Sequence, residues 1–207
     1  ERALELLEEA RSVARLVTNP TLENRMDAAM LEMQTGYVLL HLGRYNEAEA
    51  FFELALAAYR ELDDEVNVAF MFDALGVTAY GQGDLPRARN LCETAIAQMG
   101  ATGETHRLPA APEFLGLIAC ERGDPDGARA AFAGIFEEGV ARDFPGAPVR
   151  TAGIAVLAAG CGFPDVAARL LSAAEGRAMA LGGPFLPPEL STFERAIADM
   201  RSALGAD

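Results

Sequence analysis

The chain contains no lysine and no tryptophan, and it has only two histidines and three cysteines among its 207 residues. Without lysine, a P-loop, a Schiff-base enzyme and a kinase catalytic lysine are excluded within these residues. No run of about 18 uninterrupted apolar residues occurs, so no membrane span is predicted. No basic segment precedes an apolar one at the start, so the sequence shows no signal peptide.

The three cysteines, Cys92, Cys120 and Cys161, are far apart and form no C-x-x-C pair. This spacing favours reduced, buried thiols of a cytoplasmic protein over a disulfide framework. His41 and His106 lie in neither a G-x-S-x-G nor an H-E-x-x-H context, and no cluster has metal-ligand spacing. We therefore expect no catalytic residue, no metal and no cofactor, with an enzyme bearing an unrecognised carboxylate site as the remote alternative.

Positive charge is scarce: 17 arginines stand against 31 acidic residues, which gives a formal net charge of −14. Such a charge repels phosphate backbones and anionic membrane surfaces, so we expect neither direct nucleic-acid binding nor membrane binding. Alanine is plentiful instead, at 40 of the 207 residues. Since alanine is the best helix former, the composition predicts an all-α fold. The lysine-free, alanine-rich usage also suggests a high-GC bacterial source.

An internal repeat with a period of 40 residues dominates the chain. Two glycine columns and one alanine column recur at this spacing: Gly36, Gly76 and Gly116; Gly43, Gly83 and Gly123; Ala48, Ala88 and Ala128. A fourth copy follows after 39 residues, with Ala155, Gly162 and Ala167. Because one such unit cannot bury its own apolar face, the periodicity predicts units that stack on one another.

Each copy reads as two helices separated by a turn at its second glycine. We predict one domain over residues 1–207 with about ten helices: a half-repeat helix over 1–18, helix hairpins over 21–62, 64–99, 103–141 and 147–181, and a capping helix over 187–205. Asn19 is the expected cap of the first hairpin, with Pro20 in its first turn. Pro109 and Pro112 are expected to delay or kink the first helix of the third hairpin.

A glycine in the middle of a helix costs about 1 kcal/mol relative to alanine. Its recurrence at Gly36, Gly76 and Gly116, with Ala155 in the fourth copy, predicts a close approach between the two helices of each hairpin. The expected contacts on the second helices are small residues: Ala48, Ala88, Ala128 and Ala167. Larger residues one turn further on are expected to fill the space beside them: Phe52, Cys92, Phe132 and Leu171.

These residues resemble the tetratricopeptide repeat family. The strings that carry the resemblance run from Gly36 through residues 43–48, from residues 75–76 through 83–84 to Ala88, and from residues 115–116 through 123–124 to Ala128. It covers about residues 21–181, although the family's usual period is only about 34 and its closing proline is missing here. The resemblance implies a right-handed superhelical solenoid of stacked antiparallel helix hairpins, acting by binding rather than catalysis.

In this family the first helix of each hairpin lines a concave groove, which implies a site for a protein or peptide. The positions that match the groove pattern are Met30, Met33, Tyr37, Leu40 and His41; Phe70, Asp73, Val77 and Tyr80; Glu113, Leu117, Cys120 and Glu121; and Val149, Ala152 and Val156. The alternative is that neighbouring helices fill the groove and these residues are core. The family's carboxylate clamp is not expected, because the chain has no lysine and its asparagine is replaced at Tyr37, Val77, Leu117 and Val156.

Residues 168–175, 193–196 and 201–205 resemble the C-terminal end of large bacterial signalling ATPases and transcriptional regulators related to MalT and AfsR. The helical pattern already includes Glu1, as expected of a chain cut from a longer one. Together these features imply the sensor or scaffold arm of a cytoplasmic regulator, with an ATPase domain upstream in the same chain. A free-standing adaptor and a peptide-pheromone receptor are the alternatives.

Overall fold

The computed structural model describes residues 2–103, 110–139, 147–160, 163–180 and 187–204. These residues form ten α-helices and no strand, as the composition and the period predict. The helices are α1 (Arg2–Ala14), α2 (Leu22–His41), α3 (Tyr45–Glu61), α4 (Glu65–Gly81), α5 (Leu85–Thr102), α6 (Ala111–Glu121), α7 (Pro125–Gly139), α8 (Ala147–Gly160), α9 (Pro164–Ala180) and α10 (Pro187–Leu204).

The contacts divide the chain into two compact units, Glu1–Ala111 and Pro112–Asp207. In the first unit each helix from α1 to α5 packs on the next, and α2 also touches α4. In the second unit α7 packs on α8, α8 packs on α9, and α10 contacts both α8 and α9. Packed neighbouring helix pairs of this kind are the arrangement of a tetratricopeptide-like helical solenoid. The single domain over residues 1–207 stays a prediction.

The turn inside each hairpin has one recurring backbone geometry. Gly43 has a φ of 70°, and the N–H of Arg44 donates to the carbonyl of Leu39 at 2.9 Å. The same arrangement recurs at Gly83 and Gly123, with φ values of 80° and 67°. A residue without a side chain adopts this left-handed conformation at little cost, and the bond satisfies a carbonyl at the helix end. The repeated glycines therefore set where each first helix stops.

The predicted cap of α2 is wrong. Asn19 has a φ of 59° and lies before the helix, whereas Thr21 is the cap residue. Thr21 Oγ1 accepts from the N–H of Asn24 at 3.2 Å, and Asn24 Oδ1 accepts from the N–H of Thr21 at 3.1 Å. A cap needs an extended backbone so that its side chain can reach the first turn, and this reciprocal pair satisfies two orphan donors at once.

The helix α6 is short, with 11 residues against 20 in α2. Pro112 lies in its first turn, where a missing N–H costs nothing because that group has no helical acceptor. The late start agrees with the delay predicted from the prolines, while Pro109 itself lies outside the described residues.

Gly36 and Gly76 lie where helices approach closely. A Cβ atom added to Gly36 would lie 2.6 Å from Phe52 Cε1. One added to Gly76 would lie 2.8 Å from Cys92 Sγ and 3.3 Å from the backbone nitrogen of Cys92. A carbon atom does not fit at these separations, so α2 and α3, and likewise α4 and α5, are joined at positions that only glycine allows without displacement.

The remaining small residues of the repeat are buried. Those fully shielded from solvent are Ala48, Ala88, Ala128, Ala155 and Ala167. Gly116 and Leu171 are buried as well, whereas the side chain of Phe132 and all of Gly162 lie outside the description. These five alanines of the repeat thus lie in the interior of their units.

Candidate functional site

One face of α2 carries apolar and aromatic side chains that water reaches. We call it the α2 stripe: Leu22, Met26, Met30, Met33, Tyr37 and His41. Its members are three or four residues apart, so they follow one another along a single side of the helix. Met26 is 41% exposed and Met30 is 45% exposed, while Met33 and Tyr37 are half-buried. The stripe is a continuous apolar surface on the first helix of the first hairpin.

Tyr37 and His41 are fixed by neighbouring groups. The ring of Tyr37 meets the ring of Phe52 edge to face, with centroids 5.1 Å apart. Burial raises the pKa of the Tyr37 hydroxyl, and the charge of Asp73 and then Tyr59 add to the rise. His41 is exposed, and its Nδ1 lies 2.7 Å from the carbonyl oxygen of Tyr37. A neutral phenol and an exposed imidazole therefore end the stripe.

The predicted groove residues of the second hairpin lie mostly beneath the surface. Asp73, Val77 and Tyr80 on α4 are buried, and Phe70 is half-buried. Leu40, from the first hairpin, is also buried. In this packing the buried residues lie beneath the surface of α2 and α4. Only the more exposed residues can contact a partner directly.

Asp73 is a buried carboxyl group in this layer, with 6% of its surface exposed. Its Oδ2 accepts from the backbone N–H of Ala110 at 3.1 Å, while Oδ1 has no hydrogen-bond partner among the described residues. Burial raises the pKa of Asp73 to about 7, although the N–H groups of Ala110 and Ala111 favour its ionised form. Burial also raises the pKa of the Cys92 thiol, and the charge of Asp73 adds to it. The carboxyl group of Asp73 can therefore gain or lose a proton near neutral pH.

The predicted groove residues of the second unit differ in exposure. Glu113 and Leu117 on α6 are buried. Glu121 is exposed, and its Oε1 accepts from Thr192 Oγ1 at 2.9 Å and from the Arg195 guanidinium at 2.6 Å. These bonds tie α6 to α10. The other positions are half-buried or buried, namely Cys120, Val156 and Ala152, and the side chain of Val149 lies outside the description.

Within the described ranges, no group of three or more His, Cys, Asp or Glu side chains could hold a metal ion. His41 is hydrogen-bonded to its own helix, and His106 lies outside those ranges. In the same part of the chain no helix is both long and apolar enough to cross a bilayer.

Sequence reasoning missed two features of this region. Tyr45 packs against the α4 backbone, so that a Cβ on Gly81 would lie 2.7 Å from its ring. An open cavity also borders the first turns of α2, where Leu22 and Met26 line it. The spacing of Leu22, Met26 and Met30 is the signal that could have located this cavity, because three large apolar residues on one side of a helix start need a cover.

Residues 27–100 match the family model of the tetratricopeptide repeat. The match spans most of α2 and all of α3 and α4, and it ends near the end of α5. It supports the tetratricopeptide repeat family for this part of the chain. Tetratricopeptide repeats are generally non-catalytic protein-interaction modules, so the match suggests such a module. No curated protein matches the chain.

Proposed function

We propose that this chain is a non-catalytic module that binds a protein or peptide through one face of the Glu1–Ala111 unit. The first helices of its two hairpins, α2 and α4, form this surface, which we call the first-helix face. The α2 stripe carries the proposal, because a contiguous exposed apolar surface is characteristic of interaction sites. Methionine suits such a surface, since its flexible, polarizable side chain adapts to different partners. Met33, Tyr37, His41 and Phe70 are the proposed contacts from the predicted set, with Met30 beside them.

The buried members of the predicted set take a supporting part in this proposal. Leu40, Val77 and Tyr80 pack beneath the face and hold its shape, and Leu117 does so within its own unit. Glu113 and Glu121 stay predicted binding residues of the Pro112–Asp207 unit, Asp73 lies beneath the face, and the net charge of −14 favours a partner that carries positive charge. The same charge supports a partner that is neither nucleic acid nor an anionic membrane.

The test compares two pairs of substitutions in the full-length protein. Met30→Arg with His41→Arg alters the α2 stripe, and Leu54→Arg with Ile96→Arg alters exposed residues of α3 and α5. Both pairs place two arginines at exposed positions, so they change the formal net charge by the same amount. We expect the first pair to reduce recovery of at least one co-purifying protein about tenfold or more, while the second leaves it unchanged.

The result that overturns the proposal is equal recovery of every co-purifying protein with both pairs. Circular dichroism of each variant checks that the helices persist. If only the α3 and α5 pair reduces recovery, the interaction surface lies on the second helices instead.

We further propose that the module is the sensor or scaffold arm of a larger cytoplasmic signalling ATPase or transcriptional regulator. The similarity of residues 168–175, 193–196 and 201–205 to such regulators supports this context. The test is the mass of the native product in source cells, since these residues account for 21.9 kDa. A product several times heavier is expected, whereas one near 21.9 kDa would leave a free-standing adaptor or peptide receptor.

A further inference from the structure

A cavity of about 660 Å³ opens at the N-terminal end of the α2 stripe. Its walls come from three places in the Glu1–Ala111 unit: the first turns of α2, the turn between α3 and α4, and the last turns of α5. The volume lies within the range of about 300–1,000 Å³ that is usual for ligand sites. The cavity continues the proposed interaction surface, because Leu22 and Met26 belong to both.

The lining of this cavity is apolar on one side. Leu22 is 63% exposed, although burial of a leucine side chain is favourable. Met26 lies one turn further along α2, and Leu62, Val66 and Ala101 complete the apolar lining. A partner that covers these side chains would remove their apolar surface from water, which is favourable in free energy.

The other side of the cavity is acidic. Asp63 and Glu65 are exposed and form no ion pair with the described residues, whereas Asp64 is occupied in capping α4. The α3 and α5 helices end at this cavity, and helix C-termini attract positive charge. None of the described residues that line the cavity is basic. The described lining on this side therefore carries negative charge and no positive charge.

Gln98 adds a hydrogen-bond acceptor without a partner. Its Oε1 atom is shielded from solvent and accepts no hydrogen bond from the described residues. An acceptor that is shielded from water and stays unpaired carries a free-energy penalty. A donor that enters the cavity would remove that penalty once the amide turns toward the cavity.

We propose that this cavity binds an arginine or lysine side chain of the protein partner. The aliphatic stem lies on Leu22 and Met26, and the cationic head approaches the carboxylates of Asp63 and Glu65 and the amide oxygen of Gln98. Such side chains combine an apolar stem with a charged tip, which matches the two sides of the cavity. The inference rests on the proposed function and names the anchor that the partner carries.

The probe is a terminally blocked amphipathic helical peptide of leucine, alanine and arginine, titrated into the full chain and followed by calorimetry. A matched peptide carries citrulline, the uncharged isostere, in place of every arginine. We expect the arginine peptide to bind at least tenfold more tightly than the citrulline peptide. Equal affinities, or no binding of the arginine peptide at millimolar concentration, would overturn the proposal.

Two double variants separate this cavity from general attraction to an acidic protein. Asp63→Asn with Glu65→Gln removes two carboxylates at the cavity, and asparagine tolerates the φ of 53° at position 63. Glu9→Gln with Glu53→Gln removes two exposed carboxylates on α1 and α3. Since each exposed ion pair contributes only modestly, we expect the first variant to lose about five- to tenfold in affinity and the second less than twofold.

The outcomes also separate this proposal from the proposed function. Equal losses with both double variants would mean long-range attraction and would sink the cavity proposal. If Met30→Arg with His41→Arg abolishes peptide binding while the cavity variant leaves it unchanged, the surface stands and the cavity anchor is refuted. If neither of them affects capture of the native partner, both proposals fail.

Discussion

Gly76 and Gly100 are both glycines inside helices, but their surroundings differ. A Cβ on Gly76 would press on Cys92, whereas one on Gly100 would meet nothing within 4 Å. We therefore expect Gly76→Ala to reduce the free energy of unfolding by about 1–3 kcal/mol, because overpacking outweighs the gain in helix propensity. Gly100→Ala should raise it by about 0.5–1 kcal/mol, since only the propensity changes. Urea denaturation measures both, and an equal gain for the two variants would refute the close approach.

Asp73 makes the stability of the chain depend on pH near neutrality. Its pKa is about 7 in the folded chain and returns to about 3.8 when the chain unfolds. Between these values the folded state holds a proton that the unfolded state has released. The contribution of Asp73 to stability is therefore complete below about pH 4 and is lost as pH rises through 7.

The substitution Asp73→Asn should remove this dependence. Asparagine keeps the shape and an acceptor for Ala110 but does not ionise. We expect the free energy of unfolding of the variant, minus that of the unchanged chain, to rise by roughly 2–3 kcal/mol between pH 5 and pH 8. Denaturation curves at both pH values provide the difference, in which the other carboxylates cancel. A difference that stays constant with pH would show that Asp73 is ionised throughout this range.

At the scale of whole helices, Arg11 attaches α1 to its neighbours. Its side chain is buried, and its Nη1 donates to Glu8 at 2.7 Å. Its Nε lies 2.9 Å from Glu32 on α2, as an ion pair without an aligned hydrogen bond. The guanidinium also lies 4.5 Å from the ring centroid of Phe51 on α3. One residue thus joins three helices.

Replacing Arg11 should destabilise the packing of α1 more than that of the other helices. In Arg11→Ala the partly buried Glu32 loses its counter-charge and Phe51 loses its cover, so we expect a loss of about 1–3 kcal/mol. Arg11→Lys should recover only part of it, because a point charge cannot serve Glu32 and Phe51 together. Amide hydrogen exchange should show that the substitution accelerates exchange in α1 more than in α4, relative to the unchanged chain. Uniform acceleration in all helices would contradict this local role.

The helices could be predicted because their signals are local and repeated. The 40-residue period fixed the hairpins, and glycines such as Gly43 marked the turns by a conformation that few other residues adopt. The cap of α2 was missed because Asn19 and Thr21 are both good cap residues, and only the backbone decides between them. The exposure of groove positions could not be predicted either. Tyr37 and Tyr80 have similar chemistry, yet their depth depends on helix rotation, which the sequence pattern does not specify.

In the whole Glu1–Ala111 unit, the α2 stripe and the cavity form one surface, because Leu22 and Met26 belong to both. The α2 stripe offers apolar contact along its length, and the cavity at its start offers an acidic pocket for a positive side chain. Hydrophobic contact would supply most of the affinity, while the charged pocket would select the partner and its register. Partners without a basic anchor should therefore bind the stripe weakly.

The most direct measurement is a photo-crosslinking map made in source cells with the full-length protein. Benzoylphenylalanine replaces Met30 or His41 on the α2 stripe in two variants, and Leu54 or Ile96 on α3 and α5 in two matched controls. We expect a covalent adduct with the same polypeptide at the first two positions and none at the controls. Adducts that form equally at all four positions, or only at the controls, would contradict binding through the first-helix face.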